Sequence, residues 1–161
     1  MIEITTRLPA PAAAVWARAV TPEGINDELR PILRMTMPKG VEGKSIDDVP
    51  VGETLGRSWI LLGGLIPVDY DDLRLVELEK PKEGQNPFRF AERSRTATFA
   101  VWTHERIVAA AGERVCTVTD RLGWELKPIP ARLPGLARLA AAVVGFLFRH
   151  RHRRLQRHWG R

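Results

Sequence analysis

The sequence predicts an α+β fold, a curved antiparallel sheet of six or seven strands with one long C-terminal helix laid across it. Three observations carry this. The hydrophobic patterns run in a fixed order: a short helix-like opening, a long central series of strand-like segments, and one amphipathic stretch from Arg132 to His158. Gly63-Gly64 joins two of the strand-like runs, and a two-glycine loop suits the positive backbone angles of a tight hairpin. Pro128, Pro130 and Pro134 then separate the last strand from the helix. Sheet and helix of this kind enclose a space that commonly holds a small molecule.

Taken in order, Ile2 to Leu8 alternates as a first strand, and Pro9 and Pro11 end it. Ala12 to Val20 has the composition of a short helix starting at a proline, and Thr21-Pro22-Glu23 signals a second: hydroxyl cap, proline at the first position, early acid. Pro31 closes that helix. Ile32 to Met37 resumes as a strand, and residues 38–53 form a loop. Leu55 to Leu62 and Leu65 to Leu78 pair around the double glycine, with Trp59 opposite Val68 and Arg57 opposite Tyr70. The loop from Lys80 to Pro87 leads to Phe88 to Arg95, with Phe88, Phe90 and Glu92 inward. Ala97 to Ala109 and Arg114 to Lys127 form a last hairpin. The register that gathers the apolar groups sets Phe99 against Trp124, Thr103 against Asp120 and Glu105 against Val118. It leaves Trp102, His104 and Arg106 on a solvated reverse face. In the final helix Leu136, Leu139, Ala140, Val143 and Leu147 make the apolar stripe, which continues into His150, Arg151 and Arg154.

The 161 residues suit one domain over 1–161. A single cysteine, Cys116, excludes an intrachain disulfide and fits a reducing, cytoplasmic compartment. The N-terminal residues lack the features of a secretory signal, and the longest apolar stretch, Leu136 to Phe148, is interrupted by Arg138. The net charge of +6 comes from the end of the chain: 149–161 carry six arginines and no acid, so the remaining 19 basic and 19 acidic residues cancel. A broad nucleic-acid surface is therefore not expected. Weak contact with an anionic membrane through Arg149, Arg151, Arg153 and Arg154 fits this basic end, as does a solvated helix terminus whose cations favour the macrodipole. No cofactor or metal is predicted: Gly63-Gly64 lacks the helix and lysine of a phosphate loop, and Asp69, Asp71 and Asp72 do not share a face.

The expected inner surface sets a few polar groups in an aromatic wall, the pattern that orients a bound ligand. Its binding residues are Arg57, Trp59, Tyr70, Phe90, Glu92, Phe99 and Trp124. For proton transfer the candidates are the inward carboxylates Glu105, Asp120 and Glu92. His104 and Cys116 fall on opposite faces, which excludes a nucleophile and base pair. The alternative to a site is that some of these charges are structural pairs.

Five segments carry a resemblance: Thr21-Pro22-Glu23-Gly24, Ser58 to Leu62, Pro67 to Asp72, Trp102 to Arg106, and Phe148 to Leu155. With the element order, they resemble an uncharacterised bacterial branch of the START/Bet v 1-like superfamily, also called SRPBCC or polyketide cyclase/dehydrase and lipid transport. The resemblance covers the whole chain. It implies a helix-grip fold with seven strands around a long C-terminal helix and an internal apolar cavity, and it supplies no shared catalytic motif. Binding or carriage of a small hydrophobic molecule, a lipid, polyketide or aromatic, is the expected function. A cyclase- or dehydratase-like enzyme is the alternative, and docking of the basic helix end on anionic membrane or nucleic acid the third. Nothing in the sequence selects between monomer and homodimer.

Overall fold

The computed structural model describes residues 1–80, 87–128 and 132–160. The order is β1 (Ile2–Leu8), α1 (Ala12–Ala19), α2 (Pro22–Leu29), β2 (Leu33–Met35), a 3-10 turn (Ile46–Asp48), β3 (Thr54–Leu62), β4 (Ile66–Glu79), β5 (Phe88–Thr96), β6 (Phe99–Gly112), β7 (Val115–Leu126) and α3 (Leu136–Trp159). The seven strands form one antiparallel sheet in the order β1-β7-β6-β5-β4-β3-β2, curled around α3. Expected loop residues 81–86 and the bridging Pro130 lie outside the described residues.

Local chemistry explains the entry to the sheet. Thr21 caps α2 by accepting from the Gly24 amide (3.1 Å), and its own hydroxyl donates to Arg18 O (2.8 Å). The elbow between α1 and α2 is so tight that a Cβ on Gly24 would sit 1.9 Å from the Arg18 carbonyl oxygen. Beneath it, α1 closes one end of the sheet: Val15, Trp16 and Val20 pack with Leu8, Phe90, Val108, Cys116, Val118 and Leu155 into a filled core. Trp16 stacks on Phe88 at 5.4 Å.

Two strand registers and the buried face of one helix differ from the sequence reading. In the β3–β4 hairpin Leu62 pairs with Ile66, Trp59 with Tyr70 and Arg57 with Asp72, because the connection takes in Leu65 and the register shifts beyond Ile60. Gly63 and Gly64 hold positive φ, 59° and 80°, as the turn requires. The β6–β7 hairpin pairs Trp102 with Trp124, His104 with Leu122 and Arg106 with Asp120, three residues away from the apolar optimum. An odd shift exchanges the faces of β6. In α3 the buried residues are Val144, Gly145, Phe148, Arg151, His152 and Leu155, a stripe turned by about one residue from the one expected.

Candidate ligand-binding site

Partners across adjacent antiparallel strands share a face, so the pairings define the concave surface row by row. Beside the filled end lies a row of Asp120, Arg106 and Phe90; next come Leu122, His104, Glu92 and Leu75; then Trp124, Trp102 and Ser94; then Thr96, Asp71 and Ser58. Aromatic groups therefore occupy the β6–β7 half of the surface, and short polar groups the β3–β5 half.

The row nearest the filled end is ionic. Arg106 and Asp120 are both 0% exposed. Arg106 Nε and Nη2 donate to Asp120 (2.8 and 2.7 Å) and Nη1 and Nη2 to Glu28 of α2 (2.8 and 2.9 Å), so one guanidinium is gripped by two carboxylates. Arg151 of α3 donates to Glu28 Oε2 through Nε and Nη2 (3.1 and 2.9 Å). His104 and His152 place Nε2 3.0 Å from the two Asp120 oxygens. With two guanidiniums and two carboxylates the charges cancel. Burial opposes ionisation of Asp120 and Glu28, yet the neighbouring arginines hold Asp120 well below the ordinary carboxylate range and Glu28 below it. A carboxylate held ionised only accepts, so each histidine donates from Nε2. Burial outweighs Asp120 and pushes His104 below its ordinary value, and its ring lies between the edges of Phe90 (5.2 Å) and Phe148 (5.1 Å).

Beyond this network the space under α3 changes character. Phe99, Trp102 and Trp124 stack on one another with ring centroids 5.6 to 6.4 Å apart, and Phe148 closes on Trp102 at 6.2 Å. Yet Trp102 and Trp124 are only partly buried. The reason lies above them. One and two turns before Val144 and Phe148, the sheet-facing positions of α3 are Ala137, Ala140 and Ala141, which leave Ala137 exposed and the other two half-exposed. Small residues on the helix above large aromatics on the sheet leave part of this apolar surface accessible.

Its polar side is an acid pair. Glu92 and Asp71 are buried next to one another. Ser94 Oγ donates to Glu92 Oε1 (2.8 Å), and His104 Nδ1 is 3.9 Å from Glu92 Oε2. Burial and the adjacent Asp71 raise Glu92 well above the usual carboxylate range; burial also raises Asp71, less strongly, so of the pair Glu92 holds its proton to the higher pH.

Of the residues expected to line the site, Phe90, Glu92, Phe99 and Trp124 lie on the concave face and Asp120 lies in the ionic row. Arg57, Trp59 and Tyr70 do not line the cleft: they stand on the convex side, where Trp59 is 45% exposed and the Arg57 guanidinium covers the Tyr70 ring at 3.8 Å while bonding Asp72 at 2.8 Å. The buried alternation of β3 and β4 runs through Ser58 and Asp71, so the bulky groups point out. Glu105 is likewise convex, paired with Arg89 and Arg121, because the β6 register reverses its face. Those ion pairs border a convex groove of about 320 Å³. Arg151 is not available to a membrane, and Arg154 binds Asp27 (2.7 Å) on α2. Arg149 and Arg153 are exposed.

Sequence reasoning missed Glu28, His104, Arg106 and Asp71. The signal was present in Trp102, His104 and Arg106 at a period of two opposite Asp120, but a hydrophobic criterion rejects that register. Among the described residues no group of His, Cys, Asp or Glu is arranged to hold a metal ion, and no helix is long and apolar enough to cross a membrane.

Comparison with solved structures gives the same architecture. A START superfamily protein from Mycobacterium smegmatis superposes with a TM-score of 0.59 at 13% identity, over 97% of each chain. A protein from Chromobacterium violaceum reaches 0.64 at 14% identity, over 98% of this chain and 95% of its own. The Zhui aromatase/cyclase from Streptomyces sp. R1128 reaches 0.56 at 13%, over 99% and 93%. Nothing among curated proteins matches the sequence. The chain thus carries the helix-grip fold of the START/Bet v 1-like superfamily, and it belongs to the family described as a domain of unknown function, DUF8410, whose model matches residues 6–159.

Proposed function

We propose that the protein binds a small hydrophobic molecule between α3 and the β6–β7 half of its sheet. The observation that carries this reading is the aromatic wall of Phe99, Trp102 and Trp124, partly accessible beneath an alanine-faced stretch of helix. Apolar surface of this kind gains roughly 25 cal/mol per Å² on being covered, and a cleft with one polar side also orients its occupant. Carriage of that molecule, as lipid, polyketide or aromatic, is the physiological form the reading takes. The test is thermal unfolding against a panel of uncharged aromatic and aliphatic probes. A ligand of the native state raises Tm with concentration, and Trp102→Ala with Trp124→Ala abolishes the rise. An unchanged Tm across the panel at saturating solubility rejects the reading.

One observation favours a second reading, a cyclase- or dehydratase-like enzyme: Glu92 is a buried neutral acid beside a neutral imidazole. A proton donor so placed serves a carbonyl chemistry. Glu92→Gln separates the two, since a carrier keeps its affinity for neutral probes and an enzyme loses turnover.

A further inference from the structure

The polar side of the cleft indicates the chemistry of the molecule's other end. Ser58 of β3 and Asp71 of β4 are cross-strand partners on the concave face, and Ser58 is wholly buried. Ser58 Oγ and Asp71 Oδ1 lack hydrogen-bond partners. An unpaired buried polar atom is costly, and two of them side by side are uncommon in a settled core. Asp71 in turn is adjacent to Glu92, which Ser94 holds in place.

The surrounding charges are already committed. Arg151, the cation nearest in effect to Glu92, spends its guanidinium on Glu28, and Arg106 is shared by Glu28 and Asp120. On the other side Asp69 accepts from the Ala97 amide (2.7 Å). What remains between Ser58, Asp71 and Glu92 is two carboxyls and a hydroxyl, oxygen groups to which no described guanidinium or ammonium is bonded. Ser94 and Trp102 are cross-strand neighbours, so the polar group and the aromatic wall adjoin on one surface.

We infer that the cleft takes an amphipathic amine, whose apolar body lies on Trp102 and Trp124 and whose protonated nitrogen sits on Ser58, Asp71 and Glu92. An ammonium carries three donors and no acceptor, which suits this set, whereas a carboxylate or phosphate head would add charge to charge. The inference rests on the binding reading above and narrows it to a ligand class.

The experiment is isothermal titration of the whole protein at pH 7 with three probes of one body: 2-(1-naphthyl)ethylamine, 2-(1-naphthyl)ethanol and 1-naphthylacetic acid. The amine should bind at least ~10-fold more tightly than the alcohol, the discrimination a charge-assisted hydrogen bond supplies, and the acid should bind weakest. Asp71→Asn should bring the amine to within about threefold of the alcohol. Since that variant removes a buried carboxyl that burial disfavours, it is expected to stay folded, and its Tm confirms this. Equal binding of amine and alcohol, or tightest binding of the acid, overturns the inference and leaves the hydrophobic cleft standing. No binding by any probe, together with a flat Tm panel, removes both.

Discussion

Arg106 has the most to lose of any single side chain. Its guanidinium bridges Glu28 and Asp120 in a region where both carboxylates are buried. Arg106→Leu therefore leaves two buried charges underpaired, and the expected loss is about 3–5 kcal/mol, read as a lowered urea midpoint. Carboxyls with opposite shifts also give the pH dependence two arms. Glu92 is raised above its ordinary 4.5, so the unfolded chain releases this proton before the folded one does, and stability falls as pH rises from about 4.5 through the folded value. Asp120 and Glu28 are lowered, so their contribution is complete above the unfolded values of 3.8 and 4.5 and is lost as pH falls through the folded ones. His104, lowered from 6.5, adds to the acid arm: the unfolded chain takes up its proton first as pH falls. Urea midpoints of Glu92→Gln measured from pH 4 to 9 should show a shallower downward slope above 4.5, the remainder belonging to Asp71, while keeping the acid arm. A wild-type slope retained in the variant would assign the alkaline arm to another group.

Helix α3 owes its orientation to pairing more than to hydrophobicity. Its apolar residues spread around the axis, with Leu139, Val143 and Phe146 exposed, and the buried face is fixed where Arg151 and His152 meet Glu28 and Asp120. Arg151→Gln should consequently cost several kcal/mol. Arg154→Gln should cost under about 1 kcal/mol, because its pair with Asp27 is about a third exposed. Equal losses in the two variants would refute that account. At the elbow, Gly24→Ala forces a Cβ against the Arg18 carbonyl, so α1 and α2 must part and Tm should drop by several degrees. Element order and type were legible because proline, glycine and capping signals are local. Strand β1, the Thr21 cap, the Pro31 stop and the long final helix all follow from neighbours in sequence. Register was not legible on β6, since the energy that fixes it comes from Glu28, 78 residues away, acting on Arg106. The same holds for Trp59 and Tyr70: alternation finds two faces, and the small polar pair Ser58 and Asp71 takes the inner one.

At the scale of the whole molecule, the ionic row divides the interior. On one side α1 and the end of α3 pack a filled core; on the other, the alanine face of α3 stands over aromatics and an acid pair. The first half supplies stability, so the proposed binding surface and the folding core rest on different residues. Of the expected site, Trp124 and Glu92 were readable because their strands keep simple alternation inward; Phe99 faces inward through the irregularity between Phe99 and Val101, and Trp102 and Asp71 became visible only through the pairing of strands distant in sequence. The most direct measurement uses the indole N–H signals of a ¹⁵N-labelled sample during titration with 2-(1-naphthyl)ethanol. The signals of Trp102 and Trp124, assigned by single Phe substitutions, should shift progressively to saturation, while Trp59 on the convex face and Trp16, hydrogen-bonded to Asp47 in the filled core, stay fixed. Movement of Trp59 with Trp102 and Trp124 unchanged would place binding on the wrong side of the sheet and contradict the cleft.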